Sequence, residues 1–290
     1  MSRIAATFER LRGEHRQALV PFVVAGDPNL GVTEQAVAAL IRAGADMVEL
    51  GVPFSDPVAD GPINQRAYQR ALAGGVTVRD VIELVGQARP AAPVVLLSYY
   101  NPIVQYGVGR FCADAARHGV DGVVIPDLPA DEADELVTAA RPVGLDTIFL
   151  LAPTSTDTRI RVVAGRSSGF IYGVSVTGVT GVRDRLPEEI RESVGRIKKL
   201  TRLPVCVGFG VSTPDQARRV AEIADGVIVG SALVALLEQP GDKVARLEQF
   251  VRELREAIDA VGARGAGEGP RGPNHTPLSR WERGRGEGSS

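Results

Sequence analysis

The amino-acid sequence predicts a single α/β domain folded as a (β/α)8 TIM barrel. Short aliphatic runs alternate with amphipathic stretches typical of helices, such as TEQAVAALIRAG and TPDQARRVAEIA. Continuous runs of Val, Ile and Leu indicate strands that are buried on both faces, as in a parallel sheet covered by helices. About eight such runs lie between residues 18 and 230, which is the repeat number and length of this barrel.

The strand candidates follow one another at intervals along the chain. In order they are ALVPFVVAG, VELG, PVVLLSYY, GVVIPD, DTIFLLAP, GFIYGVS, PVCVGFG and GVIVGS. Four of them share one lead-in, in which a helical stretch stops, an Asp follows and the aliphatic run begins. The first three of these stops contain Gly44, Gly119 and Gly144, and glycine suits a left-handed helix cap.

An open, doubly wound sheet is the structural alternative to the barrel. Such a sheet usually carries a G-x-G-x-x-G turn after its first strand, and the corresponding segment here, AGDPNLG, does not fit that pattern. We therefore favour the barrel, and place it in residues 1–262. Residues 263–290 are rich in Gly, Arg and Pro without apolar periodicity, so we predict a disordered, solvated tail.

Composition narrows the classes of function. The net charge of −2 gives no electrostatic reason to expect nucleic acid or an anionic membrane as a partner. Two distant cysteines, Cys112 and Cys206, argue against a disulfide framework and for reduced thiols. The N-terminus has no apolar block and no run reaches membrane-spanning length, so we expect a soluble, cytoplasmic protein.

The chemistry of a barrel lies at the C-terminal ends of its strands. None of the lysines or histidines follows a strand, which argues against a Schiff-base lysine, a histidine base or a His-ligated metal. Carboxylates, hydroxyls and backbone groups remain. The residues excluded in this way are Lys198, Lys199, Lys243, His15, His118 and His275.

The segment VELGVPFSDPVADGP carries the leading candidates, Glu49 at a strand end and Asp60 in the loop that follows. A carboxyl group in a largely apolar barrel mouth has a raised pKa and can both donate and accept a proton near neutral pH. The alternatives are that Glu49 caps a loop amide or pairs with an arginine, and that Asp60 stabilises an Asx-turn.

Three glycine-bearing loops follow the last three strands, in VTGVTG, VGFGVST and VGSAL. The last two occupy the usual phosphate position of the barrel, where Gly230 and Ser231 open a short helix whose N–H groups favour an anion. Other polar or aromatic residues near strand ends have structural explanations as turn or wall residues; they are Phe22, Tyr99, Asn101, Asp127 and Tyr172.

Several of these segments together resemble one family. PFVVAGDP, VELGVPFSDPVADGP, SYYNPI, IPDLPADE, SVTGVTG, GFGVSTPDQ and VGSALV are similar, in order, to the tryptophan synthase alpha subunits, from about Arg3 to about Val261. The resemblance implies a lyase without a cofactor of its own, which cleaves indole-3-glycerol phosphate to indole and glyceraldehyde 3-phosphate. By matching motif, Glu49 is the general acid/base and Asp60 holds the indole N–H.

The resemblance also implies the rest of the site. It places around the indole and the two carboxyl groups Phe22, Leu97, Tyr99, Val124, Asp127 and Tyr172. It places at or beside the phosphate Thr180, Gly181, Phe209, Gly210, Gly230 and Ser231. Two positions depart from the family pattern: Val124 stands where leucine is more frequent, and Asn64 where an aliphatic residue is more frequent.

The family resemblance further implies a partner. A beta subunit that contains pyridoxal phosphate is expected to dock near SYYNPI and the Asp60 loop, in an alpha2-beta2 heterotetramer. Two other functions are weighed against this one: a different phosphosugar isomerase or epimerase, and a catalytically silent regulatory barrel. The first is expected to carry another acid/base pair or metal ligands, and the second tolerates loss of the carboxylates that this sequence retains.

Overall fold

The structure, a computed structural model, describes residues 1–174, 188–208 and 210–265. Its sheet has nine parallel strand segments in the spatial order β5-β4-β3-β2-β1-β9-β8-β7-β6. The segments are β1 (Ala18–Val24), β2 (Val48–Gly51), β3 (Val94–Leu97), β4 (Gly122–Val124), β5 (Asp146–Ile148), β6 (Leu150–Leu151), β7 (Ile171–Val174), β8 (Val205–Gly208) and β9 (Gly226–Val229).

The barrel closes through one run of chain. β5 and β6 are the two halves of residues 146–151, divided at Phe149. The first half pairs with β4 and the second with β7. The two ends of the strand order are therefore the same extended segment, and the nine segments form eight barrel strands. The predicted barrel is confirmed.

Helices cover the outside of the sheet. They are α1 (Arg3–Gly13), α2 (Leu30–Arg42), α3 (Pro62–Ala73), α4 (Val78–Ala88), α5 (Tyr100–Tyr106), α6 (Val108–Arg117), α7 (Asp134–Ala140), α8 (Asp157–Arg166), α9 (Glu188–Leu200), α10 (Pro214–Ala221), α11 (Ser231–Glu238) and α12 (Lys243–Gly265), with a 3-10 turn at Arg141–Val143. The sequence beyond Gly265 lies outside the described residues, so the tail stays a prediction.

The repeated lead-in to the strands has a structural reason. Gly44, Gly119 and Gly144 all have positive φ, at 101°, 87° and 73°, as their position after a helix predicted. In three of the four lead-ins the Asp carboxylate accepts an N–H at or next to the start of a neighbouring strand; the fourth, Asp146, accepts the Ser2 hydroxyl at 2.6 Å instead. Asp46 accepts from Leu19 N at 3.0 Å. In the same way, Asp121 accepts the Val94 N–H and Asp225 accepts the Val205 N–H, each at 2.8 Å.

The barrel interior is apolar at its N-terminal end. There α1 inserts Ile4, Phe8 and Leu11 against inward-facing residues such as Val20 on β1 and Phe170 just before β7. The rings of Phe8 and Phe170 meet edge to face, with centroids 6.0 Å apart. The first helix therefore closes this end of the barrel, and the polar groups of the interior lie towards the other end.

Candidate active site

Glu49 points into the barrel because of the two-residue period of β2. The strand alternates between the interior and the helix layer, with Met47 in the interior cluster and Val48 and Leu50 in the cluster beneath the helices. Its neighbours in register are Phe22 on β1 and Val95 on β3. A carboxyl group thus stands in a layer of apolar side chains.

Burial controls the chemistry of Glu49. Its side chain is 2% exposed, and neither carboxyl oxygen has a hydrogen-bond partner among the described residues. Burial, with a smaller contribution from the charge of Asp60, raises the pKa of Glu49 to about 8. The group thus exchanges a proton near neutral pH. In the described structure it neither caps a loop amide nor pairs with an arginine.

Asp60 has a different environment, in the loop between β2 and α3. Its Oδ2 accepts a hydrogen bond from the Tyr99 hydroxyl at 2.7 Å, and its Oδ1 accepts one from Asn64 Nδ2 at 2.9 Å. The Tyr99 oxygen in turn accepts the Ala59 N–H at 2.9 Å. Burial raises the pKa of Asp60, while the bonds from Tyr99 and Asn64 oppose that rise. The site therefore contains two carboxyl groups, of which Asp60 accepts two side-chain hydrogen bonds and Glu49 accepts none in the described structure.

Apolar and aromatic side chains form the walls beside this pair. Phe22 is 3% exposed, and its ring fills the space left by two glycines. A Cβ on Gly51 would lie 2.8 Å from Phe22 Cζ, and one on Gly230 would lie 3.3 Å from its Cδ1. Leu97 pairs with Val124 in register, next along the barrel. Walls of apolar and aromatic side chains are typical of small-molecule binding sites.

Tyr172 faces the same end of the barrel from β7. Its hydroxyl lies against Gly208, where an added Cβ would be 2.9 Å from that oxygen. Burial first, and then the charges of Glu49 and Asp60, raise the pKa of Tyr172 well above its usual value. The residue therefore remains a neutral phenol beside the carboxyl pair.

The strands β8 and β9 end in backbone suited to an anion. They are neighbours in the sheet, and Gly230 forms the N-cap of the eight-residue helix α11, which begins at Ser231. Gly210, just after β8, has a positive φ of 67°. A helix N-terminus at this point of the barrel favours a phosphate group. The other expected phosphate residues, Thr180, Gly181 and Phe209, lie outside the described residues.

Asp127 follows β4 at the same end of the barrel and is bonded to the start of α5, the helix that follows the neighbouring strand β3. Its carboxylate accepts the N–H of Tyr100 at 2.9 Å, at the first residue of α5, and its side chain is exposed. This contact is structural, but it differs from the turn role indicated by the sequence context, in which the side chain would bond backbone close to Asp127 itself. A contact between Asp127 and the substrate stays a prediction.

Two residues to which the sequence assigned no role in the site, Asn64 and Tyr68, also lie there. Asn64 contacts Asp60, and Tyr68, one helical turn later on α3, is fully buried with no hydrogen-bond partner for its hydroxyl in the described structure. A Cβ on Gly51 would lie 2.9 Å from that hydroxyl. The i, i+4 spacing after Asp60 is the signal that could have identified them.

Other sites in the structure offer less chemistry. Among the described residues, no group of three or more His, Cys, Asp or Glu side chains is placed to hold a metal ion. A cavity of about 490 Å³ lies at the N-terminal end of the barrel, between Leu11 of α1 and Val261 of α12. It is remote from the strand ends at which Glu49 and Asp60 meet.

None of the helices in the described part of the chain has the length and apolar character needed to cross a membrane.

Comparison with known proteins identifies relatives of the whole barrel. A family model described as tryptophan synthase alpha chain matches residues 8–261. The tryptophan synthase alpha chain of Geotalea uraniireducens (strain Rf4) is 52% identical over 266 residues, covering 90% of this chain and 100% of the relative. That of Geobacter sulfurreducens is 51% identical over 262 residues, covering 89% and 99%.

Solved structures agree with the sequence comparison. Tryptophan synthase subunit alpha from Legionella pneumophila str. Paris has a TM-score of 0.84 at 38% identity, covering 90% of this chain and 99% of that one. Mycobacterium tuberculosis tryptophan synthase in space group F222 has a TM-score of 0.82 at 40% identity, covering 89% and 98%. The chain therefore belongs to the tryptophan synthase alpha chain family, whose members are lyases that cleave indole-3-glycerol phosphate to indole and glyceraldehyde 3-phosphate.

Proposed function

We propose that Glu49 and Asp60 carry out this retro-aldol cleavage as an acid/base and a charge-stabilising carboxylate. The observation that supports the proposal is their unequal environment. Glu49 is buried without a hydrogen-bond partner in the described structure and has a pKa raised to about 8, whereas Asp60 accepts two side-chain hydrogen bonds. Environments that separate two carboxyl groups in this way assign them different roles.

The reaction requires one proton at the ring and the removal of another from the side chain. Glu49 protonates the indole carbon that bears the side chain, and Asp60 accepts the indole N–H and stabilises the positive ring. Glu49 then takes the proton from the hydroxyl on the adjacent carbon. The carbon–carbon bond breaks, its electrons return to the ring, and the hydroxyl carbon becomes the aldehyde of glyceraldehyde 3-phosphate.

The walls and the glycine-rich strand ends supply binding. We assign the indole pocket to Phe22, Leu97, Tyr99, Val124, Asp127 and Tyr172. We assign the phosphate to the backbone of Gly210, Gly230 and Ser231, together with Thr180, Gly181 and Phe209. Gly230 and Phe22 are in contact distance of each other, which supports a phosphate end adjoining the indole end.

Alpha chains of this family carry no cofactor and pair with a pyridoxal-phosphate-containing beta subunit in an alpha2-beta2 complex. For this chain we propose docking of that subunit near residues 98–103 and the Asp60 loop, at the end of the barrel where indole forms. We also propose a cytoplasmic location.

Release of indole from indole-3-glycerol phosphate tests the catalytic assignment. Glu49→Gln keeps the shape of the side chain and removes its titrating proton. We expect turnover to fall by about a thousandfold or more, because one acid/base group typically contributes about 10²–10⁴-fold and this variant loses both proton transfers. Binding of glycerol 3-phosphate, measured by calorimetry, is expected to be unchanged.

The exposed Glu83→Gln on α4 serves as the matched control and should behave as the wild type. Both variants are assayed with and without the cognate beta subunit. Substantial turnover in Glu49→Gln would show that another residue is the acid/base.

A further inference from the structure

Asn64 makes a contact that an aliphatic residue at the same place cannot make. Its Nδ2 lies 2.9 Å from Asp60 Oδ1. An ionised carboxylate only accepts hydrogen bonds, so the amide must present its nitrogen to Asp60, and this fixes its orientation. The amide Oδ1 is then buried, with no partner among the described residues. The site therefore contains a buried amide whose nitrogen is hydrogen-bonded and whose oxygen has no partner in the described structure.

The start of α3 explains why Asn64 reaches Asp60. The helix begins at Pro62 after the N-cap Gly61, which makes no side-chain cap bond, and Asn64 is its third residue. Its side chain therefore returns to Asp60, the residue before the N-cap. Tyr68, one turn later, is buried beside Gly51. Asn64 thus lies on the face of α3 that is turned to the site.

We infer that Asn64 is a positioning residue for the reaction, which orients the Asp60 carboxylate towards the indole nitrogen and favours its ionised form. The inference rests on the role proposed for Asp60. Tyr99 donates a hydrogen bond to Oδ2 and Asn64 donates one to Oδ1, so each carboxylate oxygen is held by a different side chain. Each oxygen retains a further lone pair with which to accept the N–H of the substrate.

The direction of the effect follows from the groups that surround Asp60. Burial raises the pKa of Asp60, and the bonds from Tyr99 and Asn64 lower it. Glu49, whose pKa is about 8, interacts with Asp60. Three tyrosines also interact with it, and burial raises their pKa values above the ordinary value for tyrosine; they are Tyr68, Tyr99 and Tyr172. We therefore assign the acid limb of the rate profile to Asp60, whose ionised form the proposed reaction requires.

The neighbouring residue supplies a matched control. Gln65 Nε2 donates to the backbone oxygen of Asp60 at 2.8 Å, so it holds the same residue without touching its carboxylate. Gln65→Leu and Asn64→Leu each remove one amide hydrogen bond to Asp60. A purely structural contribution to the loop would make the two variants alike.

The experiment is the pH profile of kcat/KM for indole formation, measured with the beta subunit present. For Asn64→Leu we expect the acid limb to move to higher pH, and kcat/KM near neutral pH to fall about tenfold, the loss typical of one charge-assisted hydrogen bond. Tyr99→Phe should move the same limb in the same direction, and the double variant should move it further. Gln65→Leu should keep the wild-type acid limb.

Two folding controls and one further variant separate the possible outcomes. Glycerol 3-phosphate binding and the melting temperature report whether Asn64→Leu folds, and Asp60→Asn tests the parent proposal. A wild-type acid limb and rate in a folded Asn64→Leu, with Asp60→Asn inactive, would overturn the Asn64 inference alone. Full activity in Asp60→Asn would instead overturn the role of Asp60. The substrate phosphate titrates equally in all variants, so differences among them belong to the protein.

Discussion

Burial of Glu49 raises its pKa, which suits the acid/base role proposed for it and also makes the stability of the fold depend on pH. Its pKa is about 8 in the folded chain against an ordinary value of 4.5. Between these two pH values the unfolded chain has lost the proton and the folded chain still binds it. Stability contributed by this group is complete below pH 4.5 and is lost as the pH rises towards 8.

We therefore predict that Glu49→Gln is more stable than the wild type at pH 8, by about 3–4 kcal/mol, and nearly equal to it at pH 4.5. Denaturant unfolding of both proteins across this range measures the difference, and the exposed Glu83→Gln provides the baseline. A stability difference that does not change with pH would show that Glu49 titrates normally in the folded protein.

Sequence reasoning identified the two carboxyl groups but not their full environment. Glu49 and Asp60 could be found because one lies in a short aliphatic strand and the other in a loop broken by prolines. The contact between Asn64 and Asp60 could not, because it depends on α3 beginning at Pro62 and on the direction in which the first turn points. From the sequence, Asn64 was notable only because the family more often has an aliphatic residue at this position.

At the scale of elements, α3 joins the two halves of the site through ion pairs. Arg70 on α3 binds both oxygens of Asp27 at 2.7 Å and one oxygen of Glu238, the last residue of α11, at 2.7 Å. Arg66 binds Glu238 through two bonds of 3.0 Å. The helix that follows Asp60 is thereby attached to the helix that begins at the proposed phosphate position.

The two arginines differ in what their removal leaves behind. Asp27 is 1% exposed, so loss of Arg70 leaves a buried carboxylate without this cation, whereas Arg66 lies on the surface. We predict that Arg70→Met lowers the free energy of unfolding by about 3 kcal/mol and that Arg66→Met lowers it by less than about 1 kcal/mol. Urea unfolding of the pair decides this, and equal losses would contradict the burial argument.

The strands were predictable because the aliphatic runs are buried on both faces, but the details of two elements were not. The fifth run divides at Phe149, since its halves pair with different neighbours. The helical stretch after β3 divides into α5 and α6 at Gly107, which has a φ of 90°. The first division depends on neighbouring strands and the second on one backbone angle. Neither can be predicted from the hydrophobic periodicity of the sequence.

Across the whole molecule, the two ends of the barrel have different tasks. The C-terminal end holds Glu49 and Asp60, and the N-terminal end holds an ion network that joins the first and last helices. Asp46 accepts bonds from Arg255 on α12 at 2.9 Å and from Arg10 on α1 at 3.1 Å. The side chains of Asp46 and Arg255 are 6% and 7% exposed, so this pair is largely removed from water.

The separation of these ends gives the last prediction. Arg255→Met leaves Asp46 buried without its nearest cation, and we expect it to lower the free energy of unfolding by about 3–5 kcal/mol. Asp46→Asn combined with Arg255→Met should cost less than the sum of the single changes, because no unpaired charge remains. Since the network lies across the barrel from Glu49, kcat per folded molecule should stay at the wild-type value at a temperature where each variant is folded. Chemical unfolding measures the free energy of unfolding, and indole release measures kcat. A fall in kcat that parallels the loss of stability would show that the N-terminal end of the barrel is coupled to the site at its C-terminal end.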